Sequence, residues 1–430
     1  MKTIAETCFG RRIIISLICL TMTLPQFCTA AAAADFSEKP VSPSSVNETA
    51  RYQGQTASVK KPDSRFAKAM ANTSVRLLKE TMRTRKNNKN TLISPDSILT
   101  AMTLVGSGAS GKTAAELKRA FGGLASKRYC RYFAGLHNKL AGGTDFTYKT
   151  ANSLWYRKDR IRLKPSFLNR AASFGADIYA APFDTRTVTD MNSWVNNNTH
   201  GKIPSIINRL DPQTRTALIN AVYFKGEWVD KYSGTRKRTF TSGSGTKKKV
   251  KMLEGTEHAY FTVNDAEGFV KDYRGGKLAF AALLPPENMT VDQYVKGLSG
   301  SAFIKGYKKR KTENILVYTR MPEFSYDDSI SLEKPLRKLG VKTAFTGKAD
   351  FSGISSTRMS IDEVLHKTHI SVDKDGTEAA AVTAILMKAT AAFPPQPQTI
   401  RKVYLNRPFV YAIIEKKTGV PLFIGVVKKI

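Results

Sequence analysis

Val372-Asp-Lys-Asp-Gly376-Thr-Glu-Ala-Ala-Ala-Val-Thr383, running on through Ala384-Ile-Leu-Met-Lys-Ala-Thr390-Ala-Ala-Phe-Pro394-Pro395, is the stretch on which the reading of this chain turns. Before it, Val364-Leu-His-Lys-Thr-His-Ile370 nearly alternates apolar and polar side chains and carries β-branched residues, which predicts a strand. From Thr377 to Ala384 nothing is larger than Val except Glu378, too little apolar surface to anchor a core at about 25 cal/mol per Å². Gly and Pro are too sparse there for a tight turn. The segment is therefore expected to be an exposed loop. Successive side chains of an extended chain face opposite ways, so Thr377, Ala379, Ala381 and Thr383 would share a face without charge, while Glu378 and Lys388 fall on the other. A flexible Ala-rich linker has the same composition but not this phase of the charges.

Gly376-Thr-Glu-Ala-Ala-Ala381, the loop after it, Pro394-Pro395, Asn406-Arg-Pro408-Phe409 and Leu422-Phe-Ile-Gly425 resemble the hinge, reactive loop and C-terminal strands of the serpins, over about residues 65 to 430. Three further stretches carry the same resemblance in the expected order: Ala151-Asn-Ser-Leu-Trp155, Met191-Asn-Ser-Trp194 with its continuation to Ile203, and Thr216-Ala-Leu-Ile-Asn220 with its continuation to Trp228. The resemblance implies a mixed α/β serpin fold: a large central β-sheet flanked by helices, further smaller sheets, one of them built from Phe409 to Ile414 and Leu422 to Val427, and an exposed reactive loop. It also implies that a protease cuts the loop, which then inserts into a sheet as an added strand.

The ends of the chain have their own signals. Lys2, Arg11 and Arg12 precede an apolar run from Ile13 to Leu24, and Cys28-Thr-Ala30 offers a small-residue cleavage site, so residues 1–30 read as a secretory signal peptide cleaved near Ala30. The run is shorter than the ~20 residues of a membrane anchor; Arg11-Arg12 also fits twin-arginine export. Residues 31–62, rich in Ala, Ser, Pro and Lys without periodicity, read as a disordered extension, and residues 63–430 as one serpin domain. Three of the four cysteines lie in the leader, leaving Cys130 alone and no intrachain disulfide.

Ser94-Pro95 predicts a helix start, with Ser94 as the cap and Pro95 at the first position. Ile98, Ala101, Met102 and Val105 then follow at helical spacing, an amphipathic pattern. Gly106-Ser-Gly-Ala-Ser-Gly111-Lys112-Thr113 matches the phosphate-loop pattern, but that loop needs a strand before its glycines and the period here is helical, so a glycine-rich helix ending is expected instead. No nucleophile triad or metal-ligand spacing stands out, and neither an enzyme activity, a metal nor a cofactor is expected.

The chain holds 68 Lys and Arg against 35 Asp and Glu, a net charge of +33, which falls to +31 without the leader. Such a balance favours polyanions and acidic surfaces. The candidates are Lys127, Arg128 and Arg131 on one predicted helix, and Arg236, Lys237, Arg238, Lys247, Lys248 and Lys249 within a stretch that has no acid from Lys231 to Lys251. A solvated basic surface is the alternative. The basic runs lack aromatic interleaving and a groove motif, which argues against sequence-specific nucleic-acid reading.

The resemblance further implies residue roles. Ser94, Ser97, Asn220 and His366 would form a polar cluster beneath the sheet that opens, and Trp228 would mark the point where the loop enters. The reactive bond is expected at Thr390–Ala391, fifteen residues into the loop with Gly376 counted first, which favours an elastase-like or subtilisin-like protease; Lys388 is the alternative and would admit a trypsin-like one. Lys374 stands where serpins carry an acid and Glu323 where they carry its Lys partner, so a swapped ion pair is expected. A secreted, monomeric suicide-substrate inhibitor of serine proteases, or alternatively of cysteine proteases, is the expected function; the rival is a non-inhibitory serpin that binds polyanions or acts as a carrier.

Overall fold

The computed structural model describes residues 63–85, 89–140, 145–377 and 399–430. The leader and its cleavage site, the extension at 31–62, the hinge residues Glu378, Ala379, Ala380 and Ala381, Lys388 and the Thr390–Ala391 bond lie outside the described residues.

In chain order the strands are β1 (Thr91–Ile93), β2 (Phe146–Arg157), β3 (Ala176–Ala181), β4 (Thr216–Glu227), β5 (Thr235–Thr241), β6 (Lys247–Glu257), β7 (Tyr260–Val263) and β8 (Ala266–Asp272). They continue with β9 (Leu278–Leu284), β10 (Ile315–Pro322), β11 (Phe324–Ser331), β12 (Glu363–Val372), β13 (Gly376–Thr377), β14 (Thr399–Tyr404), β15 (Phe409–Glu415) and β16 (Val420–Val427). The helices that matter for the site are α1 (Ser64–Thr84), α2 (Pro95–Gly106), α3 (Gly111–Ala120), α4 (Ser126–Leu140), α5 (Pro165–Ser173) and α6 (Thr185–Asn198).

Three sheets result. The large one runs β11-β12-β13-β4-β2-β3, with β12–β4 and β2–β3 parallel; the second, antiparallel, runs β1-β16-β15-β9-β8-β7; the third runs β14-β10-β6-β5. Strand β12 alternates buried and half-buried residues along its whole length, as its sequence predicts. Strand β4 is buried on both faces over its first seven residues: Ala217, Ile219 and Ala221 pack with Trp194 of α6, while Leu218 and Val222 join the core on the opposite side. The expected second sheet from Phe409 and Leu422 onward is present as β15 and β16.

Helix α2 starts as its sequence predicts, with Ser94 Oγ accepting from Ser97 N and Pro95 in the first turn. Its expected amphipathic character is not observed. All twelve residues are buried, because α2 lies between β2, β4 and β16 on one side and α1 and α4 on others. The phosphate-loop pattern follows this helix rather than a strand, and Thr113 Oγ1 is occupied by Asp350 N at 2.9 Å. Its glycines serve packing: a Cβ on Gly108 would meet Ile354 Cγ1 at 2.4 Å. Among the described residues no helix is long and apolar enough to cross a membrane.

Candidate functional site: a seam in the large sheet

The middle of the large sheet has a seam. Strands β12 and β4 pair directly from Glu363↔Ala217 to Thr368↔Val222 and then diverge. Beyond that point the gap is filled by β13, which pairs with Val372 on one side and with Gly226 and Glu227 on the other. Thr377, expected as the first residue of the exposed loop, is instead buried inside the sheet. Chain reversal explains this: Asp373 Oδ1 accepts from Asp375 N at 2.8 Å and Gly376 N at 3.0 Å, a side-chain-closed turn that folds the hinge back beside β12. Gly376 is required by the close approach, since a Cβ there would lie 2.2 Å from Gly226 O. Thr377 stands opposite Val372, on the face turned to the core, which is the phase read from the sequence for the first residue of the neutral face.

A clasp holds this turn. Trp228 donates its backbone N–H to Asp375 O and its indole N–H to Asp373 O, both at 3.0 Å, and Tyr232 N donates to Lys374 O at 3.0 Å. Tyr273 stacks on Trp228 at 4.5 Å and shares a 2.6 Å hydrogen bond between its hydroxyl and Thr377 Oγ1. Beneath the indole, Lys271 Nζ sits 5.6 Å from the Trp228 ring and 4.2 Å from that of Tyr232, and makes a buried 2.7 Å ion pair with Glu257.

Lower down the seam, Asn152, Asn220 and His366 lie in register on β2, β4 and β12, forming a polar row across three strands. Asn220 Nδ2 donates to Asn152 Oδ1 at 2.6 Å and also to Ser97 Oγ; His366 Nδ1 lies 2.6 Å from Asn220 Oδ1. Ser94 N donates to His366 Nε2 at 3.0 Å, so the imidazole is neutral with its proton on Nδ1. Ser94 Oγ ties the cluster to β16 through Leu422 O at 2.8 Å. Ser94, Ser97, Asn220 and His366 are thus brought together as the sequence suggested, and Trp228 lies at the top of the seam. Asn152 was missed although it stands in a stretch already singled out, where a buried Asn needs partners. Tyr273 and the Lys271–Glu257 pair carried no sequence signal.

Burial pushes the His366 imidazole down to about 3. Between that value and the ordinary 6.5 the unfolded chain binds a proton that the folded one does not, so stability falls as pH drops through this window, by at most about 1.4 kcal/mol per pH unit. The Glu257 carboxyl, pushed up by burial despite Lys271, works in the opposite sense above 4.5. The His366 contribution is therefore read as a difference: the stability gap between the wild type and His366→Gln is expected to narrow from pH 7 to pH 4.5 in urea titrations. A gap independent of pH would refute the neutral buried imidazole.

Residues 68–430 match the family model described as serpin, serine protease inhibitor. The chain belongs to the serpin family. It is 32% identical to a serpin-like protein of Thermococcus kodakarensis over 79% of this chain and 80% of that relative, and 31% identical to human leukocyte elastase inhibitor over 78% and 92%. The thermophilic serpin tengpin superposes in its native state with a TM-score of 0.83 at 35% identity, covering 90% of this chain and all of tengpin; its latent state gives 0.74 at 34% identity, over 86% of this chain and all of tengpin.

One expected feature of this serpin's seam is corrected. Lys374 and Glu323 form no ion pair within 4.0 Å; Asp375 is the main cause of the raised Lys374 ammonium pKa, and Glu323 adds only a smaller pull from farther away. Lys374 lies in the turn after β12, where its Nζ meets the adjacent Asp375 Oδ2 at 2.9 Å, and Glu323 is 3.8 Å from Lys251 on the neighbouring β6. The turn directs the lysine to its own carboxylate before a cross-strand partner can compete.

The basic candidates separate into two places. Lys127, Arg128 and Arg131 are exposed on α4. Lys247, Lys248 and Lys249 are exposed on β6, and Lys237 on β5 stands opposite Lys251. Arg236 and Arg238 are partly neutralised, since both reach Glu254, at 3.7 and 2.9 Å, together with Arg320 at 3.0 Å. Arg238 is the largest cause of the lowered Glu254 carboxyl.

Proposed function

We propose that this serpin is a secreted suicide-substrate inhibitor of serine proteases. The observation that supports the reading best is the wedged hinge: Gly376 and Thr377 already occupy the gap between β12 and β4, so the residues that follow have a path into the sheet. In the proposed reaction the protease serine attacks the Thr390 carbonyl carbon. The Thr390–Ala391 bond breaks, the Ala391 amine leaves with a proton, and an acyl-enzyme ester remains. The freed loop then inserts, displacing β12 from β4 by roughly one strand spacing of ~4.8 Å and carrying the protease with it. His366 and Asn220 must part during this step, and a neutral pair can exchange partners without burying a charge.

Mixing the protein with an elastase-like and a trypsin-like protease tests the reading. An SDS-stable complex is expected with the elastase-like enzyme, and mass spectrometry should find a released C-terminal fragment beginning at Ala391. A fragment beginning at Ala389 would move the reactive bond to Lys388; cleavage with no complex would favour the non-inhibitory carrier.

The exposed lysines favour a second property. Lys237 and Lys247–Lys249 on the β5–β6 hairpin, and Lys127, Arg128 and Arg131 on α4, are proposed to bind a polyanion. Each contact would release counterions, so heparin-like affinity should fall at least tenfold between 50 and 200 mM salt. A flat salt dependence would leave the charge without a polyanion role.

A further inference from the structure

The concave surface enclosed by α2, α3, α4 and α5 plays no part in the seam. It is a cavity of about 530 Å³, within the ~300–1,000 Å³ typical of small-molecule sites. Its lining is mostly apolar: half-buried Ala114, Phe174 and Cys130 lie deeper, and exposed Ala115 and Ala125 stand nearer the mouth. Short residues keep the space open where larger ones would fill it. Three cations, Lys118, Lys127 and Arg170, line the same cavity, and no carboxylate is among its described lining residues.

The cations are placed differently. Arg170 is half-buried and pinned, its Nη2 donating to Gly353 O at 2.6 Å and its guanidinium lying 5.9 Å from the Phe167 ring. Lys118 and Lys127 are exposed and, among the described residues, have no carboxylate within 4.0 Å. A solvated basic helix would present its lysines on a convex polar surface; here they rim an apolar hollow. We infer that this cavity binds a single-chain amphiphile, with its anionic head at Lys118, Lys127 and Arg170 and its apolar chain on the alanine and Phe174 lining. Apolar burial on this lining and charge-assisted hydrogen bonds at the rim would act together, whereas a polyanion needs only the rim. The inference does not depend on protease inhibition and is tested without a protease.

Cys130 supplies the reporter, since it is the only cysteine outside the leader and lines the cavity. Alkylation by iodoacetamide is followed at the Cys130 peptide by mass spectrometry on the full chain, with dodecanoate as the probe below its micellar concentration. Dodecanoate is expected to slow alkylation at least tenfold, saturating at one molecule per chain. Acetate, inorganic phosphate and dodecanol should protect tenfold less or not at all. A lysophosphatidic acid probe separates a lipid phosphate head from a free fatty acid by which of the two binds more tightly. Lys118→Ala with Lys127→Ala should weaken dodecanoate binding about tenfold in calorimetry, and Ala114→Leu, which fills the deeper part, should abolish protection. Equal protection by dodecanol, no protection by dodecanoate, or binding untouched by both sets of substitutions would overturn the assignment.

Discussion

Under the proposed inhibitory mechanism, Thr377→Arg is expected to turn this serpin into a mere substrate of its protease. Thr377 is 1% exposed, lies between Val372 and Gly226, and faces Tyr273. A guanidinium at that position would have to be desolvated among the Tyr273, Phe224 and Trp228 rings, at a cost of several kcal/mol, or else pull the hinge out of the sheet. A barrier increase of only ~1.4 kcal/mol slows insertion tenfold, enough for deacylation to overtake it. The measurement is the ratio of cleaved inhibitor to stable complex at equal protease, which should rise at least tenfold while the rate of loop cleavage stays unchanged. Tyr273→Phe is the milder companion: it removes one 2.6 Å bond, keeps the stack on Trp228, and should change the ratio by less. A Thr377→Arg protein that forms complex as well as the wild type would remove the wedged hinge from the mechanism.

The second large effect is expected on stability. Asn220→Leu deletes the acceptor for His366 Nδ1–H and the donor for both Ser97 Oγ and Asn152 Oδ1, leaving three buried polar groups to find other partners. At about 1–3 kcal/mol for each unsatisfied group, the loss should be roughly 3 kcal/mol or more. Because the row crosses the seam, the variant should also pass sooner into a loop-inserted form when warmed. Urea unfolding midpoints and native-gel mobility after incubation check the two effects. If Asn220→Leu unfolds at the wild-type midpoint, the row carries no stability and its place in the seam is incidental.

The reach of sequence reading differs from residue to residue. His366 was legible as a cluster member only through the serpin resemblance, although its strand was legible from alternation; the Ser94 cap was legible because a serine before a proline at a helix start has a local cause. Asn152, in a stretch already marked, required only the rule that a buried amide seeks partners. Tyr273 was out of reach: it meets Thr377, 104 residues away, through a hydroxyl contact that no spacing announces. The Lys374–Glu323 pair failed for the opposite reason, since a plausible long-range partner was preferred to Asp375, the next residue in the chain.

By itself the sequence determined the features with local causes: the period of β12, the cap of α2, the neutral phase of the hinge, and the order of motifs that places the chain among the serpins. Only the tertiary structure decided that α2 is buried on every side, that Asn152, Asn220 and His366 fall into one row, and that Thr377 already lies within the sheet. Burial and register depend on which distant surfaces meet, and a one-residue shift of β12 against β4 would move His366 away from Asn220 without altering any local preference.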